Sequence, residues 1–472
     1  MTDVEVRREQ DSLGQLDVPA CAYYGIHTQR ALANFPISGI PISAHPEFVR
    51  ALASVKEAAA SANYLLGELP EDRADAIATA CREIRSGALH DEFVVDVLQG
   101  GAGTSSNMNA NEVVANRALE ILGHSRGEYA FCSPLDDVNR SQSTNDAYPT
   151  AVRIALITAV DKLRPALTQL TDSFRAKSSQ FSDVVKVGRT QLQDAVLMTC
   201  GQEFGAFATA ISAEQPRLVE ARRLLCEVNL GGTAIGTSLN VDSRYPALVR
   251  ERLIAITGLP LRTAVDLVEA TSDTSALVHL SGVLKRVAIT LSKVCNDLRL
   301  LGSGPYAGMA DITLPAVQAG SSMMPGKVNP VIPEAVNQIA FEVIGLDVTV
   351  TLAAQAAQLQ LNAFEPVMLH SLLLMVRHLD AGCRLLAERC VDGITVDRAH
   401  AKDLAGHSLG IVTALVPYIG YAAAADVAQE ATTSGESAAS IVVRRGLLTA
   451  AEMDAVLRAV VPQARVQRIN RA

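Results

Sequence analysis

From about Thr144 to Thr395, apolar residues recur every three or four positions in runs of twenty residues or more. This spacing predicts long helices over roughly Ala147–Ser178, Thr199–Cys226, Thr271–Leu301 and Pro333–Gln360. Helices of that length exceed the usual globular range and suggest a long bundle. Each would leave more than one apolar stripe uncovered on a lone chain, so bundling between subunits is expected. Ahead of this region, shorter helical runs (Glu47–Leu66, Glu71–Ser86) alternate with glycine-rich polar turns. Behind it, from about Asp397, short helices are punctuated by Pro417, Gly420 and Gly435. The pattern predicts an all-α fold divided into an N-terminal, mostly helical region (1–142), a central long-helix bundle (143–396) and a small C-terminal helical region (397–472).

Composition narrows this picture. The chain is 49% hydrophobic but only 4% aromatic, with no Trp, so Ala, Leu and Val must fill the core, which favours closely packed helices. A net charge of −9 offers no basic field to attract phosphates, so no nucleic-acid partner is expected. The longest apolar stretches, such as Leu277–Leu301, are interrupted by His279, Lys285, Arg286, Lys293 and Asp297, which suits a bundle helix better than a membrane span. The opening MTDVEVRREQDSLG lacks an apolar signal core, and eight scattered cysteines include no C-x-x-C pair. A cytoplasmic protein with reduced thiols and no metal site is expected.

Polar loops interrupt the helical texture at QGGAGTSSNMNANE (Gln99–Glu112), SQSTND (Ser141–Asp146), GRTQLQDA (Gly188–Ala195) and GSSMMPGKVNP (Gly320–Pro330). The last invites comparison with a phosphate-binding loop. Five residues rather than four separate Gly320 from Gly326, however, and Val328 follows Lys327 where a hydroxyl would hold Mg²⁺. Singly, such stretches read as caps and turns. Together, rich in hydroxyls and amides and poor in acids, and each expected just before a long helix, they point to a site for a small anion.

GSSMMPGKVN resembles the signature G-S-S-x-M-P-x-K-x-N of the aspartase/fumarase superfamily, and the resemblance extends from YYGIHTQRA (Tyr23–Ala31) through EATSD (Glu269–Asp273) to RRGLLTAAEMD (Arg444–Asp454). Within the superfamily the chain resembles the aspartate ammonia-lyase family. The resemblance implies three domains, a central five-helix bundle, a homotetramer with a twenty-helix core, and active sites shared between subunits. It implies reversible elimination of ammonia from L-aspartate to give fumarate. Carried over by motif, Ser321 matches the catalytic base; Thr104, Ser143, Thr144, Asn145, Thr190 and Gln191 match substrate contacts; and Lys327 and Asn329 match carboxylate binders. Ser322 would support the loop, while Arg30 is either an electrostatic aid or one half of a structural ion pair. His27, His124 and His279 match no catalytic role. No cofactor is required for this chemistry, and activation by Mg²⁺ is not legible in the residues. Two departures stand out: Leu197 in place of a usual proline, expected to relax a turn beside Gln191, and Ser238 in place of a usual glycine.

The chemistry explains the residue types. Removing the proton beside a carboxylate gives an aci-carboxylate with two negative charges, which calls for preorganised donors and no nearby acids. Serine is a weak base: ionising it about six pH units below its solution pKa would cost on the order of 8 kcal/mol, which cationic charge and helix N-termini must offset. The rival reading is a fumarate hydratase of the same fold; a non-catalytic structural homologue is a remoter one. Gln191 favours the ammonia-lyase, because an amide has no proton to exchange near neutral pH, whereas fumarases usually carry histidine at this place.

Overall fold

The computed structural model describes residues 5–408 and 410–460. Helices dominate, and the described strands form only three two-stranded sheets. The expected bundle helices are present as Thr144–Gln180 (37 residues), Ser275–Leu301 and Val331–Gln355. A further long helix, Glu365–Arg389, follows them. The expected helix over Thr199–Cys226 is instead two, Cys200–Ser212 and Gln215–Leu224. The first opens on a capping box in which the Thr199 hydroxyl accepts from Gln202 N–H and the Gln202 side chain accepts from Thr199 N–H.

Packing divides the chain into two compact units. One comprises the chain up to Arg164, with Gln215–Ala288 and Phe341–Asp380; the other comprises Pro165–Glu214, Ile289–Ala340 and the chain from Ala381 on.

In the first unit, helix Pro46–Leu65 starts with proline at its first turn, where no N–H is needed, and buries Phe48, Leu52 and Val55 completely. Helix Glu71–Ser86 follows Pro70, carries Glu71 and Asp72 at its positive end, and stops at Gly87, whose φ of 112° only glycine adopts cheaply. Burial of Ile77 and Ile84 between these elements contributes about 1.5–3 kcal/mol per side chain. Helix Ile26–Asn34 has no side-chain cap of its own. Its first N–H groups rest instead on two buried carboxylates: Glu112 accepts from Gly25, His27 and Thr28, and Glu9 accepts from Ile26. A Cβ at Gly25 would lie 2.7 Å from Glu9, so the YYGIHTQRA motif is a seat for these acids.

In the second unit the hairpin Val185–Thr190/Gln193–Thr199 packs through Val187 and Leu197 onto the C-terminal helices, in a core with Ile411, Leu415, Val427, Ile441 and Val442. Leu197 therefore lies in the strand, paired with Val187, and not at the turn beside Gln191. It anchors the hairpin by burial rather than relaxing it.

Val331–Gln355 is long and apolar enough, by length and composition, to cross a membrane, with a third of its apolar window buried. Its Asp347, however, is buried and accepts from Ser281 (2.7 Å) and Lys285 (2.6 Å), as in a bundle helix. Phe341, Val348 and Leu352, at helical spacing, stay more than half exposed and form an uncovered apolar stripe.

Ahead of Pro46, His45 is buried within a one-way chain. Arg377 can only donate, so it gives to His45 Nδ1 (3.2 Å), and His45 Nε2–H gives to His370 Nδ1 (2.8 Å). Burial, with His370 and Arg377 alongside, pushes His45 down to about 4, against the opposing pull of Glu47. Because the folded value lies below the unfolded one, this contribution to stability is complete above about 6.5 and is lost as pH falls toward 4, up to about 3 kcal/mol. Chemical denaturation across that window should show the loss, and His45→Gln, which can still accept from Arg377 and donate to His370, should flatten it.

Candidate active site

In the first unit, helix Thr104–Ile121 begins directly after Gly103, whose φ is 87° and where a Cβ would meet the Tyr148 ring at 2.3 Å. The glycine lets the helix start against the buried Tyr148 and leaves Thr104 exposed. The Thr104 hydroxyl donates to Gly101 O (2.7 Å), so its lone pairs face outward as acceptors. Beside it lies a cavity of about 180 Å³ lined by Asp11, Leu13, His27, Arg30 and Phe35. Arg30 binds Asp11 through two hydrogen bonds (2.7 and 2.9 Å) and Gly14 O (3.1 Å), and this pairing holds the Asp11 carboxyl below its usual range. Of the two roles expected of Arg30, the geometry supplies the ion pair. His27 is no mere surface histidine: its Nδ1 lies 3.0 Å from Glu112, which raises its pKa.

Ser143 caps helix Thr144–Gln180. Its Oγ accepts from Asn145 N–H (3.2 Å) while Asp146 accepts from Ser143 N–H (3.0 Å), a reciprocal cap built with aspartate. Asn145 donates its amide to Ala234 O (2.8 Å), which leaves its side-chain oxygen as an acceptor. Asn229 donates to Asn145 O (2.9 Å), and Thr144 Oγ1 accepts from Asn107 (3.2 Å). Ser238, in the loop that receives Asn145, has a φ of 54°, where glycine would be unstrained. Its hydroxyl offsets part of that strain by donating to Gly231 O (2.8 Å).

In the second unit, Gln191 (φ 54°) and Leu192 (φ 63°) form the two-residue tip of the hairpin. Both occupy the left-handed region that a type I′ turn demands, and neither is the glycine or asparagine that normally fills it. Thr190 and Gln191 are exposed at this tip. GRTQLQDA thus sits on a hairpin, unlike the other three loops, which do precede long helices. Arg189 ties the hairpin to the segment leading into the Gly320 loop: it binds Asp311 (2.6 and 3.2 Å), which Lys186 also contacts (3.0 Å).

The Gly320 loop is closed at its base. Gly320 N–H donates to Lys327 O (3.0 Å), and Asn329 donates its amide to Gly320 O (2.6 Å). A Cβ at Gly320 would fall 2.3 Å from Lys327 O, whereas Gly326 (φ 83°) turns in open space. Between them, Ser321 Oγ accepts two backbone N–H groups, from Met323 (3.1 Å) and Met324 (3.0 Å). Lys327 is exposed and has no acidic partner among the described residues. Asn329 spends an amide hydrogen on the loop itself, keeping its oxygen and second hydrogen for a ligand.

Each unit gathers one part of the expected set: Arg30, Thr104, Ser143, Thr144 and Asn145 in the first, and Thr190, Gln191, Ser321, Lys327 and Asn329 in the second. Sequence reasoning gave no role to Asn107, Asp146, Asn229 or Asp311, which hold these groups. A signal existed for Lys56, a charge placed among Leu52, Val55, Ala59 and Ala60 on the apolar face of its helix.

Among the described residues, no cluster of His, Cys, Asp and Glu is arranged to hold a metal ion.

Residues 14–345 match the family model described as Lyase, and residues 411–460 match that described as Fumarase C C-terminus. An aspartate ammonia-lyase from Pseudomonas canavaninivorans is 56% identical over 453 residues, covering 96% of both chains. The Escherichia coli K12 aspartate ammonia-lyase is 51% identical over 450 residues, covering 95% of this chain and 94% of its own. Among solved structures, a fumarate lyase:delta crystallin from Brucella melitensis, bound to cobalt, superposes with a TM-score of 0.94 at 53% identity, covering 97% of this chain and 99% of that one. A class II fumarase from Schistosoma mansoni gives 0.90 at 33% identity, over 97% and 98% of the two chains. Signature, helical fold and near full-length identity agree: the chain belongs to the aspartate ammonia-lyase family of the aspartase/fumarase superfamily.

Proposed function

We propose that the chain catalyses reversible elimination of ammonia from L-aspartate to give fumarate, with Ser321 as the base that removes the Cβ proton. The observation that carries the assignment of the base is the pair of backbone N–H groups on Ser321 Oγ. Two donors aimed at a hydroxyl oxygen favour its ionised form, offsetting part of the cost of using serine as a base. The Lys327 ammonium, on the same loop and without an acidic partner, supplies a free cation for a carboxylate. Thr104 and Asn145 both present acceptor oxygens, which suit the ammonium of an amino acid. Gln191 adds a third acceptor, an amide oxygen; it has no proton to give a departing hydroxide, which favours ammonia over water as leaving group. Thr144 and Asn329 retain hydrogens for carboxylate oxygens, Ser143 shapes the turn, and Thr190 flanks Gln191 at the hairpin tip. The 56% identity to an aspartate ammonia-lyase, against 33% to a fumarase, supports the same choice.

The catalyst in this proposal is a homotetramer with active sites shared between chains, working without a required cofactor in the cytoplasm. The exposed stripe Phe341, Val348 and Leu352 is an apolar face that a second copy would cover, and the base and substrate groups are exposed or half-exposed on a single chain.

Ultraviolet absorbance of fumarate should rise with L-aspartate and much less with L-malate; kcat/KM for malate equal to or above that for aspartate would reverse the substrate assignment. Ser321→Ala should lower kcat by about 10²- to 10⁴-fold, the usual worth of a general base, with Tm unchanged. Near-normal turnover would remove Ser321 from its role. Mixing Ser321→Ala with Asn145→Ala chains should restore activity after verified subunit exchange, and failure to do so would count against shared sites.

A further inference from the structure

Lys56 lies in the middle of helix Pro46–Leu65 with no accessible surface and, among the described residues, no carboxylate within bonding distance. Its Nζ contacts three amide oxygens: Asn107 Oδ1 (2.6 Å), Gln142 Oε1 (2.9 Å) and Asn139 Oδ1 (3.1 Å). Burying an ammonium among neutral groups is costly, and burial pushes this one down to about 7 despite the buried Asp146 carboxylate acting on it through space. An apolar side chain of equal length would fill the same space without that cost, so the charge calls for a reason other than packing.

The reason lies in hydrogen-bond direction. In its charged form Lys56 has three hydrogens and no lone pair, so the Asn107 atom facing it is then the oxygen, as observed. The Asn107 NH₂ is thereby turned the other way, toward Asn139 Oδ1 (3.1 Å) and Thr144 Oγ1 (3.2 Å). Thr144 must then accept from Asn107, and its own proton finds no acceptor among the described residues. Thr144 is part-exposed on the turn that carries Asn145, so that proton is free to point outward.

Resting on the function proposed above, we infer that Lys56 is a positioning residue: acting through Asn107, it fixes the Thr144 hydroxyl as a donor to a substrate carboxylate. Without an obligate donor at position 56, the Asn107 amide is free to turn over and present its oxygen to Thr144. The hydroxyl would then donate inward and offer the carboxylate only lone pairs.

Asn107→Asp tests the direction while keeping shape. The aspartate gives Lys56 a true ion pair but sets an oxygen against Asn139 Oδ1 in place of a donated hydrogen, so Tm should change little. Position 107 can then only accept, so Thr144 must donate inward, and kcat/KM for L-aspartate should fall about 10- to 100-fold, the worth of a hydrogen bond to a charged group. Lys56→Met should give a loss of similar size, mainly in KM. In a Thr144→Val background, where no hydroxyl remains to be aimed, Asn107→Asp should cost less than about twofold more. A full additional loss in that background would mean that the new carboxylate simply repels substrate, and would overturn the inference. Unchanged kcat/KM in Asn107→Asp with intact Tm would overturn it as well, even where Lys56→Met fails to fold. If wild-type chains form no fumarate from L-aspartate, the proposed function fails on its own; fumarate binding by calorimetry to wild type and the same four variants then reads the hydrogen-bond direction, with the same pattern expected and the same reversals decisive.

Discussion

One buried carboxylate fixes the substrate turn of the first unit. Asp146 has no accessible surface, and its oxygens accept from Ser143 N–H, Gly231 N–H (3.0 Å) and Thr233 N–H (2.9 Å). Burial pushes this carboxyl up to about 6, and the three backbone donors pull against that rise. Backbone N–H groups are directional and cannot rearrange as a lysine could, so the carboxylate pins the start of helix Thr144–Gln180 to the loop Asn229–Asn240. Asn145 is then held from both sides, by Asn229 on its carbonyl and by Ala234 on its amide. Removing the acid would free the turn and leave several donors unpaired, a larger loss than any one hydrogen bond.

The same logic separates acids that hold the site from acids that would spoil it. Glu112, Asp146 and Asp311 are all buried, with their charge spent on backbone N–H groups or on Arg189 and Lys186. The outward-facing groups in three of the four polar stretches are hydroxyls, amides and the Lys327 ammonium; in the hairpin, Asp194 is exposed as well. Under the proposed function that arrangement suits a doubly charged carboxylate, because a free acid beside the developing charge would oppose the donors. Two of the acids these stretches contain, Glu112 and Asp146, serve the backbone.

How much of this was legible follows from what each feature rests on. The long helices were readable because a period of three to four apolar positions survives over many turns; Glu365–Arg389 escaped because it follows Gln355 after only a short loop and opens on Glu-Pro, without a hydroxyl cap. The hairpin around Gln191 escaped because its tip is Gln-Leu, and a type I′ turn normally announces itself with asparagine and glycine. Strain at that tip is visible only in the backbone angles. The site residues could be named from motifs, but the amide ladder from Lys56 to Thr144 joins residues up to 86 positions apart in sequence, which no local pattern encodes.

Exposure links the fold to the proposed chemistry. Thr104, Thr190, Gln191 and Lys327 are all exposed on a single chain, yet preorganised donors have most effect where water is excluded and the local dielectric is low. In the proposed tetramer the remaining walls come from other copies, and the chain also carries an exposed apolar stripe for them to cover. Under the proposed assembly, burial of Phe341, Val348 and Leu352 against other copies drives association, and association in turn dries the site. Stability of the assembly and acidity of the Ser321 hydroxyl then depend on the same buried surface, so a polar substitution in the stripe, far from any reacting atom, would weaken both together.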